Sequence, residues 1–366
     1  MPSAHHPEIA RYYHLLIGTY TRGKSEGIYV YRFDNKTGQL NHVYTAKGVE
    51  NPSFLTVSPD GQFVYAVNEL SGDKQGSVSA FKFNSQQGIL TLLNQQASGG
   101  GDPCYLTLDD EQKFLVVANY SGGSFSILPI KSDGSLLPAV QTFQHVGNSV
   151  NPDRQENPHV HATVFSPDQK YLFVDDLGTD KVNIYRFDPK NKQKPLSPAT
   201  PAYIDVKPGS GPRHLIFNKT GTYAYLILEL SAEILVFQHN KGKLDLVQTV
   251  PITEAYFEGE VGAAEIQLSP DGKFLYASNR GDANEIVVYT VDPEKGLLTF
   301  VERKKTMGKM PRHFTIDPHG NFLLVAHQES HSVVLFPRDK NTGKLGSGKQ
   351  LLSIDSPVYL KMIEAR

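Results

Sequence analysis

The sequence predicts an all-β fold built from one hairpin repeated around a ring. A signature of x-Pro, an apolar strand, a Ser-Pro-Asp-Gly-like turn and a second apolar strand recurs at intervals of about 50 residues, the length of a four-stranded blade. After each hairpin comes a third strand, and a Gly-Leu or Lys-Leu step then leads into a fourth. The two ends of the chain carry complementary fragments of one further blade. Together these predict a seven-bladed β-propeller of four-stranded blades, closed by pairing of the C-terminal strand with the N-terminal blade.

In chain order, Tyr13 to Thr19, Ile28 to Phe33 and the run opening at Gly38-Gln39-Leu40 are a second, third and fourth strand with no first strand before them. Asn51-Pro52 opens the first complete hairpin, which turns at Ser58-Pro59-Asp60-Gly61 and ends at Asn68; Ser77 to Phe83 and Gly88-Ile89-Leu90 continue it. The next hairpin is Asp102-Pro103 to Asn119. A longer, more polar loop, His145 to Asn157, precedes Asn157-Pro158 to Asp176, which turns at Ser166-Pro167-Asp168 and is followed by Val182 to Phe187. Gly211-Pro212-Arg213-His214 begins a hairpin that turns at Asn218-Lys219-Thr220-Gly221 and runs to Glu229, with Ile234 to Phe237 behind it. Gly262-Ala263 to Asn279 turns at Ser269-Pro270-Asp271-Gly272, and Met310-Pro311 to His327 at Asp317-Pro318-His319-Gly320. Apolar runs of strand length broken by such residues are hairpin signals. Ser356-Pro357 to Met362 is a first strand with nothing after it, and it completes the N-terminal fragment. Closure removes sheet edges that would otherwise invite aggregation.

A chain of 366 residues would ordinarily suggest two domains, but the repeat makes residues 1–366 one ring, with polar residues 1–11 as a flexible N-terminal extension. No apolar run is long enough to span a membrane, and the N-terminus lacks the apolar stretch of a secretory signal. The single cysteine, Cys104, excludes an internal disulfide and fits the cytoplasm. A net charge of −2 gives no reason to expect nucleic acid or an anionic membrane surface. No phosphate-binding loop, dinucleotide glycine pattern or cysteine cluster is present, so no cofactor is expected.

Stacking the repeats on the turn serine yields columns that report positions around the ring. At the start of the first strand one column reads Ser53, Cys104, His161, Arg213, Ala264, Arg312 and Val358, and the next Phe54, Tyr105, Ala162, His214, Glu265, His313 and Tyr359. At the end of the second strand the columns read Gly18, Asn68, Asn119, Asp176, Leu228, Asn279, His327 and Thr19, Glu69, Tyr120, Leu177, Glu229, Arg280, Gln328. Antiparallel pairing brings all four columns to one mouth of the central channel. Variation among Arg, His, Glu, Asp and Asn at one end of an otherwise apolar repeat is what a site grafted on a scaffold looks like. Each position also has a structural reading. The asparagines could bond neighbouring blades, Tyr105 and Tyr359 could pack the wall, and the arginines could pair structurally with Glu229. His159 and His161 lie two apart on one strand but have no third ligand nearby, and Cys104 has no base fixed beside it.

Asn157-Pro158-His159-Val160-His161 with Asp176-Leu177-Gly178, Gly211-Pro212-Arg213-His214 with Glu229, and Ser278-Asn279-Arg280-Gly281 resemble the seven-bladed lactonase family across all the repeats. That family includes bacterial propeller-type 6-phosphogluconolactonases and fungal carboxy-muconate lactonising enzymes. The resemblance implies a metal-independent enzyme and a catalytic set of His161, Arg213, Glu229 and Arg280. Asn119, His214, Arg312, His313 and Glu69 are expected to bind substrate beside them. His161 or Glu229 can act as general base, and the arginines can hold an anionic group or a developing oxyanion. The expected reaction is hydrolysis of 6-phosphogluconolactone to 6-phosphogluconate in the oxidative pentose phosphate pathway, by a monomer or weak homo-oligomer. Lactonisation of a muconate is the next reading, and a non-catalytic propeller binding an anionic ligand or protein partner the third.

Overall fold

The computed structural model describes residues 10–365. Its 28 strands form seven four-stranded sheets, each an antiparallel meander, and no helix occurs among the described residues. Blade 1 comprises residues 12–47 and the C-terminal strand Pro357–Glu364; blades 2 to 7 are residues 55–97, 103–144, 160–205, 212–251, 263–305 and 311–353. The first strand of each of blades 2 to 7 lines the channel, as Pro357–Glu364 does for blade 1.

The second strand of each blade is largely apolar because both its faces are covered. In blade 5, Ala224, Leu226 and Leu228 pack with Phe173, Val182 and Ile184 of blade 4, while Tyr225 and Ile227 pack with Ile266, Leu275 and Ala277 of blade 6. Period-two alternation thus sends successive residues into the two neighbouring interfaces. Tyrosine hydroxyls buried there need acceptors, and they find backbone carbonyls on the next blade: Tyr65 donates to Gly134 (3.0 Å) and Tyr225 to Gly296 (2.9 Å). Gly296 also has φ +65° and lies where a Cβ would run into the Tyr223 ring. The recurrent Ser-Pro-Asp-Gly stretches are local turns. Ser58 Oγ donates to Asp60 Oδ1 (2.6 Å) and accepts from the Phe63 amide (2.9 Å), while Gly61 takes φ +72°.

The ring closes as the sequence predicts. Pro357–Glu364 pairs antiparallel with Tyr12–Thr19, from Tyr13 opposite Glu364 to Gly18 opposite Tyr359. Most of the expected flexible extension, residues 1–9, lies outside the described residues, but Ala10 and Arg11 are held against the ring. The Ala10 carbonyl accepts from His319 Nε2 (2.9 Å), and Arg11 pairs with Asp34 (2.7 Å). Deleting residues 356–366 would unpair the Tyr12–Thr19 edge and uncover Leu15, Ile17 and Leu324, which pack with Leu360. We expect the truncated protein to be insoluble or to melt far below the full chain in a thermal-unfolding assay; equal melting would mean that this pairing does not secure the ring.

Candidate active site

Side chains reach the channel mouth through a repeated irregularity at the start of the innermost strands. In blade 5, Pro212 pairs with Leu228 but His214 pairs with Ile227, which leaves Arg213 unpaired as a β-bulge. The same slip leaves Cys104, His161, Arg312 and Val358 unpaired, and in blade 6 Ala264 and Glu265 share one opposing residue. An ordinary strand would turn consecutive side chains to opposite faces, whereas a bulge lets two of them share a side. Arg213 and His214 therefore meet, with Arg213 Nη1 3.2 Å from His214 Nε2. The mouth consequently has two layers: residues of the first aligned column join those at the ends of the second strands in the outer one, and residues of the second column form the inner one.

The outer layer is built on Glu229. Its Oε2 accepts from Arg213 Nε and lies against Arg280 Nη2, both at 3.0 Å, and its Oε1 accepts from Arg154 Nη2 at 2.6 Å. Burial pulls the Glu229 carboxyl up, but Arg280, Arg213 and Arg154 outweigh it and hold the group far below the usual carboxylate range. Backbone carbonyls fix the inner arginines further: Arg213 Nη1 donates to Ala264 (2.6 Å) and Arg280 Nε to Gly262 (2.8 Å). His161 Nε2 faces Glu229 Oε2 at 4.0 Å. Burial, with Arg213, Arg312 and Arg280 around it, pushes the His161 imidazole well below 6.5, so it is neutral at physiological pH. Across the mouth Arg312 lies 5.5 Å from the Tyr20 ring centre, and its guanidinium has no carboxylate within 4.0 Å and no hydrogen bond among the described residues. Glu69 is committed to Tyr20 and Ser53, whose hydroxyls it accepts. The Cys104 thiol is pushed up by burial and gives its hydrogen to the His161 carbonyl (3.4 Å).

The inner layer is a closed belt across the channel. Phe54 touches Tyr105 (ring centres 4.2 Å), Tyr105 meets His214 (5.1 Å), and His214 Nδ1 bonds Glu265 Oε2 (3.0 Å). Glu265 Oε1 faces His313 Nε2 (3.7 Å), His313 packs on Tyr359 (4.2 Å), and Tyr359 returns to Phe54 (4.3 Å). Behind the belt a cavity of about 450 Å³ runs past Glu265, Gln267 and Lys361. Burial pushes the Glu265 carboxyl up to about 7.

Arg213, Glu229, Arg280 and His161 come together, with Arg312 facing them and His214 and His313 beneath. Asn119 does not join them. It is fully buried, and its amide donates to the Ser98 carbonyl (3.1 Å) and Ser124 hydroxyl (3.2 Å), holding its own blade's loop. Its column mates do the same work: Asn68 donates to the Glu50 carbonyl (2.8 Å), and Asp176 accepts the His159 amide (2.9 Å). Glu229 does not gain the basicity that burial alone would give it, because three arginines stabilise its ionised form. His214 contacts Glu265 of the next blade rather than Glu229. Two residues of the site escaped sequence reasoning. Glu265 stood in an aligned column as its one carboxylate. Arg154 comes from the polar 145–157 loop, whose ends are pinned by His145 on Asp176 (2.8 Å) and Gln155 on the Leu177 carbonyl (2.8 Å). Nothing in the loop's spacing singles it out.

A family model described as a seven-bladed β-propeller lactonase matches residues 14–362. A 6-phosphogluconolactonase of Formosa agariphila is 36% identical over 352 residues, 95% of this chain and 99% of that protein. One of Bacillus subtilis is 35% identical over 349 residues, 95% of this chain and 97% of that protein. The solved structure of the Pseudomonas aeruginosa periplasmic gluconolactonase PpgL superposes with a TM-score of 0.94 at 43% identity, covering 97% of this chain and 100% of that one. Ring, bulged mouth and matched length lead to one assignment: the chain belongs to the seven-bladed β-propeller lactonase family.

Proposed function

We propose that this protein hydrolyses 6-phosphogluconolactone to 6-phosphogluconate at the arginine-lined mouth, without a metal. The reading is carried by the grouping of a buried imidazole, His161, with Glu229 (4.0 Å) and the two arginines that Glu229 binds at 3.0 Å, and burial among those cations favours the neutral imidazole. His161 takes a proton from water, whose oxygen attacks the lactone carbonyl carbon. The carbonyl oxygen becomes an oxyanion opposite Arg213 and Arg280, whose Nη2 and Nη1 respectively have no partner among the described residues. The ester C–O bond then breaks and the ring oxygen leaves with the proton from His161. Product carboxylic acid ionises to solvent. Glu229 orients the arginines, and its charge 4.0 Å from His161 Nε2 favours the imidazolium formed during attack. Arg312, uncommitted to any carboxylate, suits the phosphate.

The names of the Formosa and Bacillus relatives support a phosphorylated lactone, and the Pseudomonas name supports a plain one in the periplasm. The phosphorylated substrate goes with the cytoplasm, where a lone cysteine stays reduced. One chain supplies every residue of the proposed site, which fits a monomer or weak homo-oligomer.

A coupled assay on freshly made 6-phosphogluconolactone, corrected for spontaneous hydrolysis and run beside gluconolactone and a muconate, tests the reaction directly. Arg312→Ala should raise KM for the phosphorylated lactone roughly ten- to a hundredfold, the worth of a charge-assisted bond of about 1.5–3 kcal/mol, and should barely change gluconolactone turnover. Equal sensitivity of both lactones would move Arg312 from the phosphate to the reacting ester. His161→Ala should lower kcat by about 10²–10⁴-fold with KM little changed. A variant that keeps its kcat would exclude His161 as the base. Glu229→Gln should destabilise the fold by about 3–5 kcal/mol in urea titration, since it leaves arginines buried without their counter-charge. Activity should survive exhaustive chelation, and loss restored by a divalent ion would defeat the metal-free mechanism.

A further inference from the structure

We propose that Glu265 is a positioning residue which, through His214, holds the Arg213 guanidinium in place on the channel mouth; this rests on the hydrolase reading only for its effect on turnover. The contacts run in one line across two blades. Glu265 Oε2 meets His214 Nδ1 at 3.0 Å, and Arg213 Nη1 lies 3.2 Å from His214 Nε2 and 3.4 Å from its Nδ1. Arg213 Nη1 lies near both ring nitrogens and by itself selects neither tautomer, whereas an ionised carboxylate only accepts and touches Nδ1 alone. The His214 proton then sits on Nδ1, where an ionised Glu265 accepts it. The same accounting fixes the other side of the carboxyl. His313 Nδ1 accepts the Leu360 amide (3.2 Å), which leaves its Nε2 proton directed at Glu265 Oε1, and Gln267 Nε2 donates to that oxygen at 3.1 Å.

Protonation of Glu265 reverses the line. A carboxylic acid donating to His214 Nδ1 moves the imidazole proton to Nε2, and two donors then oppose each other at Arg213. The titratable and charged groups facing Glu265 are His214 and Arg213 of blade 5, His313 of blade 7, Tyr359 and Lys361 of the C-terminal strand, and Tyr105 of blade 3. Of these, the histidines are held neutral by burial and by Arg213. The carboxyl is the group poised near neutrality, at about 7. Because its active form is the anion, the contribution is complete above that pH and fades as pH falls through it.

The test combines kinetics with imidazole tautomers read by long-range proton–nitrogen NMR on the whole protein, the His214 signals being identified by their absence in His214→Ala. At pH 8 we expect His214 as the Nδ1–H tautomer in wild type and in Glu265→Gln, whose amide oxygen still accepts. Glu265→Ala should shift it toward Nε2–H. On 6-phosphogluconolactone, Glu265→Ala should lose roughly three- to tenfold in kcat, as expected for one hydrogen bond, and Glu265→Gln should recover most of it. Wild-type kcat should step down below about pH 7, and Glu265→Gln should lack that step, falling only in the more acidic range where the depressed His161 imidazole protonates. A purely packing role would give neither the tautomer change nor the missing step. An Nε2–H tautomer in wild type, or an unchanged tautomer in Glu265→Ala, overturns the proposal even if the variant melts early. Wild type inactive on the lactone would sink the hydrolase reading alone, since the NMR result stands without substrate.

Discussion

Guanidinium groups crowded into a mouth from which water is largely excluded repel one another strongly, and burial adds a desolvation cost to each. Glu229 resolves that conflict. One carboxylate serves Arg213, Arg280 and Arg154, drawn from blade 5, blade 6 and the loop leading into blade 4. The ion cluster thereby couples three sectors of the ring and leaves it net positive, which suits an anionic substrate. It also explains the neutrality of His161, since excess positive charge next to a buried imidazole opposes its protonation.

The charges converge because of the bulges. A regular strand offers the channel one residue in two, so seven innermost strands would give a single ring of side chains per level. The slip at the start of six of the seven innermost strands inserts a second residue on the same side. Polar groups occupy the outer level, and an aromatic and histidine belt seals the level below it. The belt denies bulk water a path through the ring from behind, keeping the dielectric low around the arginines. Scaffold and site are thus separable: the blade interfaces depend on period two, and the site depends on breaking it.

Most of the fold was legible because each blade repeats the same solution. Turn chemistry, apolar runs and complementary ends all speak from short windows of sequence. The mouth was legible as far as alignment could take it, and the first column coincides with the bulged residues in every blade but the second. It failed where orientation mattered. Asn119 shares a column with Asn68 and Asp176, and the column's common task of tying down a loop looks from sequence like a variable polar rim. Arg154 has no counterpart in other blades, so no column could contain it. The ionisation of Glu229 and Glu265 depends on how many cations surround each carboxyl in space, and residue type alone does not carry that count.

The closing strand has a consequence for how the molecule is made. Pro357–Glu364 is the last of the described strands to be synthesised, yet its partner Tyr12–Thr19 is the first. During translation blades 2 to 7 can assemble in turn, each on its predecessor, while the blade at the start waits with an unpaired edge. The longest-range strand pairing among the described residues is therefore formed last, and its loop-closure entropy is recovered only when the ring shuts. Until then the circle of first-strand residues is open between Ser53 and Arg312, the gap that Val358 and Tyr359 fill. A nascent chain has all its site residues but no belt, and so becomes a finished catalyst only after its final strand has docked.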